Sequence, residues 1–442
     1  MSNFPKLPFK LNEGQEGDQD LLDYLKASEN FPYLSKDSRD IITGLSSVLS
    51  ENGLQNLQTQ LLELWPKILT DALLCLKMKD TREYDSKKPE MKTFFHEESL
   101  GVDELQGVLA RFSEFEGVLY GASPDRYRDH IVHSFRVWIV GQAILKKALK
   151  GKLNSYEDPK LAVSPREWEC MWAIVALCHD IGYPLSAVEK INELTRKTFT
   201  KQGLISEGDM RFTFRQQMLP FHDAMIKLMA SKPVRSRAQR TKFLTHLQNK
   251  YYLKLLKSFD RLDHGIISSL LVSRGLVYFL ESDLAHDEWK LLTKEDARQF
   301  LVRREILRAI AAHTCPDIYH LNFDTLSFLL YIVDEIQCWG RPTLDELQGK
   351  PAKFGESWAT VQEFKRNAVR IEIETSDEKW GEHQEKGIRL QIGKLHRMLR
   401  LAVDTPKMVK DKVKLSFKMS NRGGQYCFLE LKEDGIQKND NF

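Results

Sequence analysis

Trp172-Ala-Ile-Val-Ala-Leu-Cys-His179-Asp180-Ile-Gly182-Tyr-Pro184 is apolar on nearly every side until it meets a histidine and an aspartate. A helix of that composition is buried. Gly182 and Pro184 supply the stop signals, which places His179 and Asp180 in the last turn. An imidazole beside a carboxylate is costly to desolvate there unless the two are paired, hydrogen-bonded or bound to a metal. Whatever compensates them has to come from other parts of the chain.

Four further segments carry candidates at helical spacing. In Asp125 to Ile144, His133 falls in register with Val137, Val140 and Ile144, and His130 shares that face. His264 aligns with Ile267 and Leu271, His313 with Val302, Ile306 and Ala309, and Asp334 with Ser327, Leu330 and Tyr331. Pro316 closes the segment that ends in His313, and Asp324 is placed to N-cap the one that carries Asp334. One inward histidine is more often a satisfied core group than a ligand. Five helices that each turn a metal-competent side chain inward are hard to explain by packing.

His133, His179, Asp180, His264, His313 and Asp334 together offer four imidazoles and two carboxylates, a set suited to iron, manganese, zinc, magnesium or a similar ion. Six ligands exceed what one tetrahedral ion requires. The expected cofactor is therefore one or two divalent metal ions, with Asp180 the bridge if there are two.

The order His133, His179-Asp180, Asp334 resembles the H…HD…D signature of the HD-domain metal-dependent phosphohydrolases, over residues 120–345. His264 and His313 resemble the extra ligands of its dinuclear members. The resemblance implies an all-helical domain that hydrolyses a phosphoester or phosphoanhydride by a metal-activated hydroxide. Members that cleave cyclic-di-GMP carry a paired histidine where this chain has His313-Thr314, so that substrate is not implied. His130 resembles the general acid of cyclic-nucleotide phosphodiesterases, although it precedes the first ligand by three residues rather than four. A hydrogen-bonded supporting group is its rival reading.

The expected substrate is a nucleotide or similar phosphoester. Arg341, seven residues after Asp334, is the candidate phosphate clamp, and a charge at a helix C-terminus is equally compatible. Gln337 is a candidate to orient a ligand or a water, or else a surface glutamine. Ala187 to Lys257 carries 15 Lys and Arg against 5 Asp and Glu. Such an insertion reads as a lid for a polyphosphate, with Lys190, Arg196, Lys197, Arg211 and Arg215 nearest the ligands, as a nucleic-acid contact, or as a solvated face. No recognised nucleic-acid module is present, so that partner is not the favoured one. His222 and His246 read as non-ligands.

The 442 residues, 42% hydrophobic and 29% charged with a net charge of +3, suit a soluble globular protein with a sizeable core. The expected fold is mainly α: an HD-type helical bundle at 121–345 with the basic insertion 187–257. It follows an N-terminal arm and helical extension at 1–120 and precedes a small α+β appendage at 346–442. Residues 1–36, rich in Pro, Gly and acids, read as a loosely packed arm with a short helix around Leu21 to Leu25. Between Arg39 and Lys79, helical spacing such as Leu54, Leu57, Leu61, Leu64 and Ile68 marks a packing or dimerisation helix pair with a kink at Pro66, so a homo-oligomer is compatible. Val369–Glu374, Val413–Met419 and Tyr426–Leu431 read as strands, Ile392–Ala402 as a helix, and Gly423-Gly424 as a hairpin turn.

Six cysteines without CxxC spacing point to a reducing compartment. The N-terminus lacks the apolar core of a signal peptide, and no apolar run is long enough to cross a bilayer, so the expectation is a cytoplasmic protein without a membrane partner. The rival function is a catalytically inactive HD protein that binds a nucleotide and signals through its terminal regions. The intact ligand set favours the enzyme.

Overall fold

The computed structural model describes residues 11–12, 15–52, 58–80, 100–111, 130–155, 158–185, 200–201, 218–280, 291–320, 322–337, 357–382, 385, 388–389, 392–396, 414–432 and 435–441. They form a mostly helical body with a small sheet near the C-terminus. Its helices include α1 (Gln15–Lys26), α2 (Lys36–Asn52), α3 (Gln58–Asp80), α4 (His130–Lys147) and α5 (Pro165–Cys178). After them come α6 (Pro220–Ala230), α7 (Asn249–Asp260), α8 (His264–Gly275), the short α9 (Val277–Leu280), α10 (Lys294–Ala312) and α11 (Leu326–Ile336). No helix among the described residues is long and apolar enough to cross a membrane.

α4 and α5 form the centre of the core. Sixteen of the residues of α4 from His130 to Leu145 are buried, as is every residue of α5 from Glu167 to Cys178. They approach closely because α4 presents Gly141, where a Cβ would overlap the Trp172 ring. Three buried indoles find acceptors: Trp172 donates to Trp138 O at 2.8 Å, Trp138 to Tyr33 Oη at 3.0 Å, and Trp65 of α3 to Leu177 O at 3.1 Å. α3 therefore props the end of α5 directly, and Pro66 sits inside it.

The expected loose arm is packed over its described part. Leu21, Leu22, Leu25 and Phe31 are buried, Phe31 lies 4.7 Å from the Trp138 ring, and Asn30 O accepts from Gln142 Nε2 at 2.8 Å. The expected short helix at Leu21 to Leu25 is the C-terminal part of the longer α1; averaged over 36 residues, the polar composition hides how firmly its apolar stripe packs.

The sheet runs in the order β1 (Leu11–Asn12), β4 (Ser357–Lys365), β5 (Ala368–Thr375), β6 (Lys414–Asn421), β7 (Tyr426–Lys432) and β8 (Gly435–Asp440), while β2 (Ser231–Arg235) and β3 (Phe243–Leu247) form a separate hairpin. β5 and β6 are parallel and the other neighbours antiparallel. The expected hairpin is the β6–β7 turn, with Gly424 at φ +83°. The sheet meets the helical body where Phe364 lies 5.9 Å from Phe328, and in the stretch between β5 and β6 Lys394 Nζ lies 2.9 Å from Glu335 Oε1, next to Asp334.

Candidate metal centre

α5 starts with a capping box, Ser164 Oγ accepting from Glu167 N–H and the Glu167 carboxylate from Ser164 N–H at 2.8 Å. Its last helical residue is Cys178. His179 is the C-cap, still in the right-handed region, and donates Nδ1–H to Ala176 O at 2.8 Å. α10, capped by Thr293 and Asp296, ends the same way: His313 is its C-cap and donates Nδ1–H to Ile310 O at 2.6 Å. Each ring satisfies a carbonyl of the last turn and turns the lone pair of Nε2 outward. His133 of α4 makes the third such bond, Nδ1–H to Gln337 Oε1. Gln337 is the buried C-cap of α11, which is N-capped by Thr325 rather than by Asp324.

The three Nε2 atoms and two more ligand atoms gather round Asp180. On one side His133 Nε2 lies 3.0 Å from Asp334 Oδ1 and 3.3 Å from His179 Nε2, which is itself 3.3 Å from Asp180 Oδ2. On the other, Asp180 Oδ1 lies 3.2 Å from His264 Nε2 and 3.5 Å from His313 Nε2. Two groups result, His133–His179–Asp180 and Asp180–His264–His313, with ligand atoms within 4.8 Å of one another. His133, His179, Asp180 and His313 are buried, whereas the His264 and Asp334 side chains keep 24% and 17% exposure, so access is from their side.

This donor set fits divalent cations. With Nδ1 of both rings committed to an acceptor oxygen, His133 and His179 point two Nε2 lone pairs at each other across 3.3 Å. A buried pair of acceptors is unfavourable unless something positive lies between or beside them. Burial lowers the pKa of His179, but the carboxylates of Asp180 and Asp334 and the Ala176 carbonyl outweigh it and raise the net value. Burial likewise pushes the Asp180 carboxyl up, and His179, His264 and His313 hold it well below the usual carboxylate range. For His264 burial wins and the pKa falls, which keeps a neutral, metal-competent imidazole.

Two glycines let the ligand elements meet. A Cβ on Gly182 would lie 2.7 Å from His264 O, and Gly182 N–H donates to Ser268 Oγ at 2.8 Å. A Cβ on Gly265 would lie 2.6 Å from both Ile310 O and Thr314 Oγ1 and 2.9 Å from His313 Nδ1. At the rim, the Tyr183 ring is 4.3 Å from His130 and 5.4 Å from His264.

All six ligand candidates are thus brought together, with His130 one aromatic ring away. Gln337 is placed on His133 rather than at the surface. His222 packs against Phe259, 5.3 Å between rings, and His246 is exposed. Lys190, Arg196, Lys197, Arg211, Arg215 and Arg341 lie outside the described residues. Tyr183, Gly265 and Thr314 escaped the sequence reading, although each is adjacent to a ligand or follows the His-Asp pair closely.

No protein-family profile matches the chain, and neither a curated protein nor a solved structure does.

Proposed function

We propose that this chain is an HD-type metal-dependent phosphohydrolase acting on a nucleotide or similar phosphoester. The observation that carries the reading is the division of Asp180, whose two oxygens face separate sets of imidazole nitrogens. Divalent cations held at such positions bring the pKa of a water towards neutrality and polarise a phosphoryl oxygen. His133, His179, Asp180 and Asp334 would hold one, and Asp180, His264 and His313 the other. The chain keeps its rings ready by fixing their tautomers through Ala176, Ile310 and Gln337. Burial of His133, His179, Asp180 and His313 limits bulk water there, which strengthens the charge interactions inside. His130, whose ring lies tilted 4.3 Å from that of Tyr183, would serve as the general acid to the leaving oxygen. Arg341 keeps its sequence-based role as phosphate clamp.

The test is metal analysis of the purified chain, followed by turnover of an aryl phosphodiester and a nucleotide panel with added manganese. The reading expects bound metal and turnover, both lost when His179 and Asp180 are changed together to alanine. Unchanged turnover in that double variant overturns it.

A further inference from the structure

Between Ser231 and Phe259 the chain carries eight Lys and Arg and no Asp or Glu, the densest part of the basic insertion. The first half of this stretch is the β2–β3 hairpin. Its register puts Ser231, Pro233 and Thr245 inward, where they are buried, and the Lys232–His246 and Val234–Leu244 pairs outward. The turn adds Arg237 and Arg240, both exposed, and Lys242, half-exposed; it is closed by Ser236 N–H to Lys242 O at 2.9 Å and Lys242 N–H to Gln239 O at 2.8 Å. Arg235 is on the inner face and pairs with Asp158. Among the described residues no carboxylate pairs with Lys232, Arg237, Arg240 or Lys242.

This charge is remote from the metal centre. Ser231 O, at the base of the hairpin, accepts from Arg304 at 3.2 Å and Arg308 at 3.0 Å, in the middle and the C-terminal half of α10. At the other end of the hairpin Phe243 exchanges backbone hydrogen bonds of 3.0 and 2.8 Å with Leu292, just before α10 begins. The hairpin therefore runs along α10 towards its N-terminus, while His313 caps the C-terminus. The 19 residues of α10 put about 28 Å between those ends. The turn cations Arg237, Arg240 and Lys242, at that end, do not touch a phosphate held at Asp180.

We propose that the outward face and turn of the β2–β3 hairpin bind the phosphate backbone of duplex DNA. A two-stranded ribbon fits the major groove of B-form DNA, whereas the deep, narrow major groove of duplex RNA does not admit it. Four unpaired cations on a ribbon, flanked outward by Val234, Leu244 and His246, match a phosphate ladder better than an anionic membrane, which is held by an amphipathic apolar face as well as charge. The site is independent of the metal chemistry proposed above.

Fluorescence anisotropy of the full chain with a random DNA duplex of about 20 base pairs tests it, from low to physiological salt. The expected affinity falls linearly in log–log form with salt, with a slope near −3 to −4 for about four neutralised phosphates. Arg237→Gln with Arg240→Gln should lower affinity about tenfold or more at low salt and reduce the slope by about two, while turnover of the aryl phosphodiester and the melting temperature stay unchanged. Absent binding at low salt, an unchanged slope in the double variant, or tighter binding to duplex RNA or phosphatidylserine vesicles would each overturn the proposal. Loss of turnover in the Asp180 variants with DNA binding retained would leave it standing.

Discussion

His264 Nε2 stands 3.2 Å from Asp180 Oδ1, on the opposite carboxylate oxygen from the one that faces His179. One carboxylate thus serves two histidine sets that have no other shared side chain among the described ligands. His264→Ala should therefore remove one ion and leave the other, whereas Asp180→Ala should remove both. Metal-to-protein ratios from elemental analysis read this directly. In each case turnover should fall by more than the roughly 10–100-fold that loss of a supporting hydrogen bond costs. Equal metal content in the two variants contradicts the bridging role.

Gln337 acts through His133. Its Oε1 accepts the Nδ1 proton of that ring, and it is buried at the end of the helix that carries Asp334. Gln337→Leu keeps the volume and removes the acceptor, so His133 loses its fixed tautomer. Metal affinity should drop about 10–100-fold, measured by competition with a chromogenic chelator, while Gln337→Glu, which retains an acceptor oxygen, should recover most of it.

Gly265 sets the distance between α8 and α10. A methyl group there meets Ile310 O and Thr314 Oγ1 at 2.6 Å, so Gly265→Ala must push His264 and His313 apart. The expected cost is about 1–3 kcal/mol in urea unfolding, with a disproportionate loss of turnover. Gly44→Ala is the control: nothing lies within 4 Å of a Cβ at that exposed helical position, and stability should rise by up to about 1 kcal/mol.

The ligand set was legible because metal-competent residues interrupt otherwise apolar helical stripes, as His179 does after Ala176, Leu177 and Cys178. What holds the ligands was less legible. Gln337 meets His133 across 204 residues, and nothing local at either position announces the other. The same holds for the sheet: β1 is two residues long, too short for any periodicity, and pairs with Ala359 and Trp358 far along the chain. The strand pattern of β5, β6 and β7 was readable, but their parallel and antiparallel order depends on contacts that alternation does not encode.

His320 gives the protein a pH dependence separate from the candidate metal centre. Burial against Phe328 and Tyr331, each 5.7 Å away ring to ring, pushes its pKa down from 6.5 to about 4. The folded state therefore holds a neutral imidazole where the unfolded chain takes up a proton. Stability from this group is full above pH 6.5, falls as the unfolded form protonates, and stops falling below about 4. Near pH 5 the loss is about 2 kcal/mol, approaching about 3 kcal/mol at the acid limit. His320→Phe keeps an aromatic ring and cannot titrate. Urea unfolding of both chains at pH 7.5 and pH 5 should show the variant gaining about 2 kcal/mol relative to the native chain on acidification, since all other titrating groups cancel in that difference. A difference that does not move with pH would mean that His320 is protonated in the folded state.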